Sequence, residues 1–65
     1  MSNAVILRIR HTPLQGGRPR TWYEYAPIVD GKIQRLSNHT ASSPLRAAQR
    51  ARLDGYDPDL KVVDV

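Results

Sequence analysis

Residues 21–37 read TWYEYAPIVDGKIQRLS and carry the strongest local structural signal in this chain of 65 residues. Two runs rich in aromatic and β-branched residues flank Asp30 and Gly31, both of which tolerate positive φ. This pattern predicts a β-hairpin with a two-residue turn. Pro27 has no backbone N–H, so we expect it at an edge, at a bulge or at a non-bonded position.

The two-residue turn also predicts the register of the hairpin, because it pairs Val29 with Lys32 and therefore Ile28 with Ile33. Continued along the strands, this register pairs Ala26 with Arg35, Tyr25 with Leu36 and Glu24 with Ser37. One face then holds Trp22, Glu24, Ala26, Ile28, Ile33 and Arg35, and the other holds Tyr23, Tyr25, Val29, Leu36, Lys32 and Gln34. We expect a helix on one face and, on the other, aromatic rings interleaved with cations, which favour stacking and cation–π contacts.

Two more strands are predicted, one before and one after this hairpin in the chain. In AVILRIRH, residues 4–11, the alternation is typical of a half-buried strand and places Arg8 and Arg10 on one face. In DLKVVDV, residues 59–65, a similar alternation predicts a last strand that returns beside an existing edge of the sheet.

A helix is predicted between these strands by SSPLRAAQRARLDG, residues 42–55. Ser43 is a favourable N-cap, Pro44 suits the first helical position, and Gly55 can adopt the left-handed conformation beyond the end. The helix should run from Pro44 to Leu53. Its apolar side comprises Leu45, Ala47, Ala48 and Ala51, and Arg46 and Arg50 lie on the opposite side.

These elements predict an α+β fold: a small antiparallel sheet with one helix on one face, in the order β-β-β-α-β, formed by residues 1–65 as a single domain. Asp54, Asp57 and Asp59 are spaced like half of a calcium loop, but the glycine and the terminal glutamate of such a loop are missing. We therefore expect cap and turn roles for them, and we predict neither a metal nor a cofactor.

The charge is unevenly distributed along the chain. Residues 1–53 hold nine of the ten Lys and Arg residues and two acids, which gives +7, whereas the last twelve residues hold one cation and four acids, which gives −3. Eight of the ten cations are arginine, whose planar guanidinium binds phosphate and carboxylate in a bidentate manner. This composition indicates an anionic partner; the alternative is a solvated arginine-rich surface that reflects a GC-rich genome.

Composition also limits the class of protein. The chain has no cysteine, no apolar run near the ~20 residues that span a bilayer and no signal-peptide pattern. We expect a soluble, cytoplasmic protein with no membrane partner, present as a monomer or homodimer. His11, His39 and Glu24 form no pattern of nucleophile, base or metal ligand, so no enzymatic activity is predicted.

QGGRPRTW, residues 15–22, predicts an exposed loop over residues 14–20 that presents Arg18 and Arg20 for long-range attraction. Within it, GRPR, residues 17–20, resembles the core of the AT-hook, a minor-groove-binding motif. Gly16 stands where that motif has another arginine. The resemblance implies that Arg18 and Arg20 can enter the minor groove of DNA.

Residues 5–53, with TWYEYAPIVDGKIQRLS followed by SSPLRAAQRAR, resemble the arm-site-binding domain at the N-terminus of phage integrases, although the last strand is extra here. That resemblance implies DNA contacts by Arg8, Arg10, Trp22 and Arg35. The full element order also resembles very small phage regulatory proteins, among them anti-CRISPR proteins and regulators of host RNA polymerase.

These observations support two functional hypotheses. The first is a small non-catalytic, phage-type regulator or inhibitor that docks on a host nucleic-acid-handling machine, either RNA polymerase or a CRISPR effector. The alternative is a module that binds DNA or RNA directly through its sheet or loops. For both, the candidate contact residues are Arg8, Arg10, Arg18, Arg20, Trp22, Tyr23, Tyr25, Arg35, Arg46 and Arg50.

Overall fold

A computed structural model describes residues 2–36 and 39–65 of the chain. It contains four strands and one helix: β1 (Ala4–His11), β2 (Arg20–Val29), β3 (Lys32–Ile33), α1 (Pro44–Leu53) and β4 (Pro58–Asp64). The α+β class, the order β-β-β-α-β and the bounds of the helix are confirmed.

The strands form one sheet in the order β3-β2-β1-β4. β1 and β2 pair antiparallel, with Ile6 opposite Tyr25, and β2 and β3 also pair antiparallel. β4 lies parallel to β1, because α1 returns the chain to the end of the sheet where β1 begins. The sheet is therefore mixed, whereas the sequence predicted antiparallel pairing throughout.

The hairpin turn forms as predicted, with φ of 52° at Asp30 and 76° at Gly31. Val29 pairs with Lys32 and Ile28 with Ile33. The next N–H, that of Gln34, donates to the Pro27 carbonyl oxygen at 2.8 Å. Pro27 has no N–H to return, and regular pairing ends there.

The predicted continuation of this strand to Leu36 is wrong for that reason, because Arg35 and Leu36 leave the ladder. The pair of Glu24 with Ser37 lies outside the described residues. The chain instead meets β2 again at Ala41, which exchanges two backbone hydrogen bonds with Tyr23, at 2.8 and 2.9 Å.

Both ends of α1 carry the predicted caps. The Arg46 N–H donates to Ser43 Oγ at 3.2 Å. At the other end Gly55 adopts a φ of +91°, and the N–H of Tyr56 donates to the Ala51 carbonyl at 2.9 Å. This 6→1 bond is the Schellman arrangement, which stops the helix and directs the chain into β4.

The core between α1 and the sheet is small and rich in alanine. Ala47, Ala48 and Ala51 are fully buried against Ile6 and Tyr25. Side chains this short let the helix approach the sheet closely. The predicted place of Leu45 on this side is wrong: it is 60% exposed, because it lies about 110° round the helix from the alanines.

The opposite face of the sheet holds a second apolar cluster. Leu7, Ile9 and Ala26 are buried in it, and Trp22 and Val63 pack against them. Within the described ranges no helix covers this face. The half-buried indole of Trp22 therefore lies at the surface of the molecule.

The outer edge of the sheet along β4 is irregular. The pairing with β1 shifts between Ala4 and Ile6, and Lys61 donates its N–H to Asp59 Oδ1 at 3.1 Å. A bulge and a side chain bonded to the backbone both discourage pairing with another strand. Contacts with a partner are therefore expected from side-chain surfaces rather than from this edge.

Candidate binding cleft and basic end

The molecule is elongated, with extents of 42 × 22 × 19 Å, and two of its acids, Asp30 and Asp57, lie at one end. Asn3, next to the start of β1, bonds Asp57 twice, through its own N–H at 2.9 Å and through its Oδ1 at 2.7 Å. The Ile28 N–H donates to the Asn3 carbonyl, so the turn with Asp30 lies at this same end. Asp57 and Asp30 thus lie away from the end of β1 and the start of β2, which carry the cations Arg10 and Arg20.

One acid reaches the basic side of the molecule and is neutralised there. Arg8 Nη1 lies 3.2 Å from Asp64 Oδ1, and its guanidinium lies over the Tyr23 ring at 5.8 Å from the centroid. The hydrogen bond with Tyr23 and the charge of Asp64 raise the pKa of Arg8 above its ordinary value. Arg8 is therefore engaged within the molecule, on the helix side of the sheet.

A cleft of about 660 Å³ lies between α1, the segment 39–42 and the start of β2. The residues on its walls are Thr21, Trp22, His39, Thr40, Ala41, Ser42, Arg46, Gln49, Arg50 and Leu53. A smaller hollow of about 220 Å³ adds Arg20 beside Thr21, Trp22 and Thr40. The two hollows share three residues and form one groove. None of these lining residues is acidic; they include arginines, residues with hydroxyl or amide groups, and Trp22.

One wall of the cleft is attached to β2 by a side chain as well as by backbone. The Tyr25 N–H donates to His39 Nε2 at 3.1 Å, and the two rings stack with centroids 4.6 Å apart. Burial lowers the pKa of His39, and the nearby Arg50 acts in the same direction against Glu24 and Asp54. A neutral imidazole is the form that can accept this hydrogen bond.

A second set of contacts joins the core to the helix end of the cleft. Asp54 accepts hydrogen bonds from the Tyr25 hydroxyl and from Arg50 Nε, the latter at 3.2 Å. The bond from Tyr25, with help from Arg50, lowers the pKa of Asp54, while burial and Asp54 raise the pKa of Tyr25 to about 12. Arg50 is thus partly neutralised, whereas the Arg46 guanidinium has no ion-pair partner in the described part of the chain.

The structure brings four of the candidate residues together in this groove: Arg20, Trp22, Arg46 and Arg50. Arg10 and Arg18 are exposed at the basic end beyond it. Leu14 is fully exposed in the loop between β1 and β2, and Gly16 there has a φ of +76°. The predicted exposure of residues 14–20 is confirmed, but the predicted loop ends one residue earlier, because Arg20 is the first residue of β2.

Three candidates have other surroundings. Tyr25 is 2% exposed and lies under α1, so its predicted place on an exposed contact face is wrong. Tyr23 is half-buried beside the same core. Arg35 pairs with the buried Glu24 at 3.0 Å and so neutralises the carboxylate beneath the open face.

Of the two faces that the sequence left open, α1 covers the tyrosine side of β2, so Trp22 is the one ring that β2 presents on the uncovered face. The sequence analysis did not identify some of the residues that line the cleft. Gln49 and Arg50 follow Arg46 at i+3 and i+4, so the three residues share one face of α1. From this spacing, Gln49 could have been identified as a candidate. His39 and Thr40 gave no such signal, because their place depends on where the chain meets β2 again.

Comparisons with known protein families, with curated proteins and with solved structures find no match. In the described residues, no three His, Asp or Glu side chains come together in a group that could hold a metal ion. The helix α1 is too short and too polar to cross a membrane. Functional inference therefore starts from the groove and from the separation of charge.

Proposed function

We propose that this protein is a small, non-catalytic binding protein of the phage-regulator type that docks on a host nucleic-acid-handling machine. The proposed target is either RNA polymerase or a CRISPR effector. The protein acts by covering or bridging a surface of that machine, without chemistry of its own.

The observation that carries this proposal is the position of Trp22 beside Arg46 and Arg20 in a concave surface. Tryptophan and arginine are the residue types most enriched among energetically dominant interface positions. Such anchors work best in hollows from which a partner excludes water. Thr40, Ser42 and Gln49 supply hydrogen-bonding groups around them.

The charges of the groove favour an acidic partner surface. Its lining residues include three arginines and no carboxylate; Asp54 pairs with Arg50 beside the cleft, whereas Arg20 and Arg46 have no ion-pair partner in the described residues. Complementary charge speeds association and selects orientation. An acidic patch on an enzyme of nucleic-acid metabolism would satisfy these arginines.

The test is capture of partners from a host lysate by the tagged protein, with and without nuclease treatment. Trp22→Ala and Arg46→Glu should abolish capture of the same nuclease-resistant partner. Arg52→Glu is the matched control, since Arg52 is an exposed arginine of the same helix that does not line the cleft. Thermal melts of each variant separate loss of binding from loss of fold.

Direct binding of DNA or RNA is a second candidate, favoured by the combination of Trp22 with arginines in one groove. Bases stack on aromatic rings while arginines contact phosphates. If this function holds, nuclease treatment removes all captured protein. Affinity for bare oligonucleotides then falls steeply with salt.

A further inference from the structure

β1 and β2 continue beyond the rest of the sheet as a two-stranded ribbon. The pairing of β4 ends with Asp64 opposite Arg8, and the bridge on the other side ends at Tyr23. Three further pairs follow: Ile9 with Trp22, Arg10 with Thr21, and His11 with Arg20. We call residues 9–22 the hairpin arm. Its paired part extends roughly 10 Å, at about 3.4 Å per residue, before the loop of residues 12–19 adds to its reach.

The hairpin arm carries cations and no acid. Arg10, Arg18 and Arg20 are all exposed, and residues 9–22 contain neither Asp nor Glu. The two carboxylates nearest the arm are neutralised by ion pairs: Glu24 pairs with Arg35, and Asp64 pairs with Arg8. The formally charged side chains of the arm are therefore all positive.

The cations point to both faces of the ribbon. Residues directly opposite in an antiparallel pair share a face, and successive residues alternate between faces. Arg10 therefore lies on the helix side with Thr21, whereas Arg20 lies on the side of Trp22. Arg18 lies in the loop at the tip. A flat anionic surface would engage one face of the ribbon, but a groove between two rows of phosphates engages both.

We propose that the hairpin arm is a binding element for double-stranded DNA that enters the major groove. The groove is about 12 Å wide and 8.5 Å deep and admits a two-stranded ribbon. The reach of the arm matches this depth, and its cations on both faces meet the two phosphate walls. The deep, narrow major groove of duplex RNA does not admit such a ribbon. The arm shares Arg20, Thr21 and Trp22 with the cleft, whereas Arg10 and Arg18 lie outside it, and this proposal does not depend on the proposed function.

The experiment measures binding of a fluorescent 20-base-pair DNA duplex by anisotropy across a range of NaCl concentrations. The arm variant is Arg10→Gln with Arg18→Gln, because neither residue lines the cleft. Loss of two phosphate contacts should reduce the slope of log K against log salt by about 1.8 and weaken binding at every salt concentration. The control Arg52→Gln with Lys61→Gln removes the same charge elsewhere and should keep the slope.

A second comparison separates the arm from the cleft. Arg46→Gln with Arg50→Gln should also keep the slope, although it should abolish capture of the protein partner. Failure of the cleft to bind protein would thus leave the DNA result intact, and the reverse also holds. Melting curves must show that the arm variant folds, which is expected because both of its side chains are exposed.

Four outcomes would overturn the proposal. They are absence of duplex binding at 50 mM NaCl, equal loss in the charge-matched control, and equal affinity for duplex RNA or single strands. The fourth is competition by a minor-groove ligand, which would place Arg18 and Arg20 in the other groove. Binding of duplex DNA that is sensitive to the arm variant alone supports it.

Discussion

The imidazole of His39 takes the place of a strand at the edge of β2, where its Nε2 accepts the Tyr25 N–H at 3.1 Å. Two residues on, Ala41 bonds Tyr23 through its backbone. A single side chain thus fills the gap in a ladder that Pro27 interrupts. This contact and the backbone bonds of Ala41 together hold the wall of the cleft, and the contact requires a neutral His39.

The first prediction concerns pH. Burial lowers the pKa of His39 in the folded protein, so the unfolded chain takes up this proton first as pH falls. The stabilising contribution is fully present above the ordinary pKa of about 6.5 and is lost as pH falls towards the lower folded value. The free energy of unfolding, measured by urea titration between pH 7.5 and 5, should therefore decline.

His39→Gln is the control for this pH effect, because an amide oxygen can accept the Tyr25 N–H at any pH. The decline over this range should be smaller in the variant than in the natural chain. An NMR titration that places the pKa of His39 at or above 6.5 would contradict the prediction directly.

The second prediction concerns the hydroxyl of Tyr25. Tyr25→Phe keeps the buried ring and removes the hydrogen bond to Asp54, which is the largest cause of the lowered pKa of that carboxyl. The pKa of Asp54 should rise towards its ordinary value, and the melting temperature should fall. Tyr56→Phe removes a hydroxyl without a hydrogen bond in the described structure and should leave the pKa of Asp54 lowered. Carbon-detected NMR of the carboxyl can distinguish the two variants.

The third prediction concerns the close packing of the helix. Ala48 is fully buried against the sheet, so Ala48→Leu forces extra volume into a filled space. Such overpacking typically costs about 1–3 kcal/mol in the free energy of unfolding. Arg52→Leu introduces the same side chain at an exposed position of α1 and should change stability by about 0.5 kcal/mol or less. Equal stability of the two variants in urea would show that the alanine interface is loose.

The parts of the fold that could be predicted from the sequence are those determined by short-range signals. The turn at Asp30 and Gly31, the cap at Ser43 and the stop at Gly55 each require a particular backbone conformation at one place. These constraints act over a few residues, so they are visible in the sequence.

The remaining differences depend on contacts between distant parts of the chain. Both faces of β2 carry apolar residues, and the face that α1 covers decides whether Tyr25 or Trp22 is buried. The direction of β4 follows from the path of the helix across the sheet. The cleft lies between the segment that contains Thr40 and the helix that contains Arg46. No local sequence pattern predicts that these two segments line the same cleft.

The fourth prediction uses Gly55, which has a φ of +91° and open space where a Cβ would lie. Gly55→Ala should therefore destabilise through backbone strain alone, by about 1 kcal/mol. Gly55→Asn should cost less, because asparagine adopts left-handed conformations more readily. A larger loss for Asn than for Ala would argue against this account of the helix end. Thermal and urea unfolding of the two variants provide the comparison.

The central claim is that the cleft beside α1 is the surface that docks on a partner, and site-specific photo-crosslinking tests it most directly. A benzophenone side chain is placed at Gln49, on the cleft wall, or at Arg52, on the same helix outside the cleft. After irradiation in nuclease-treated host lysate, we expect one dominant product from position 49, containing a subunit of a nucleic-acid-handling machine, and none from position 52. Equal products from both positions, or no product from position 49, would contradict the claim.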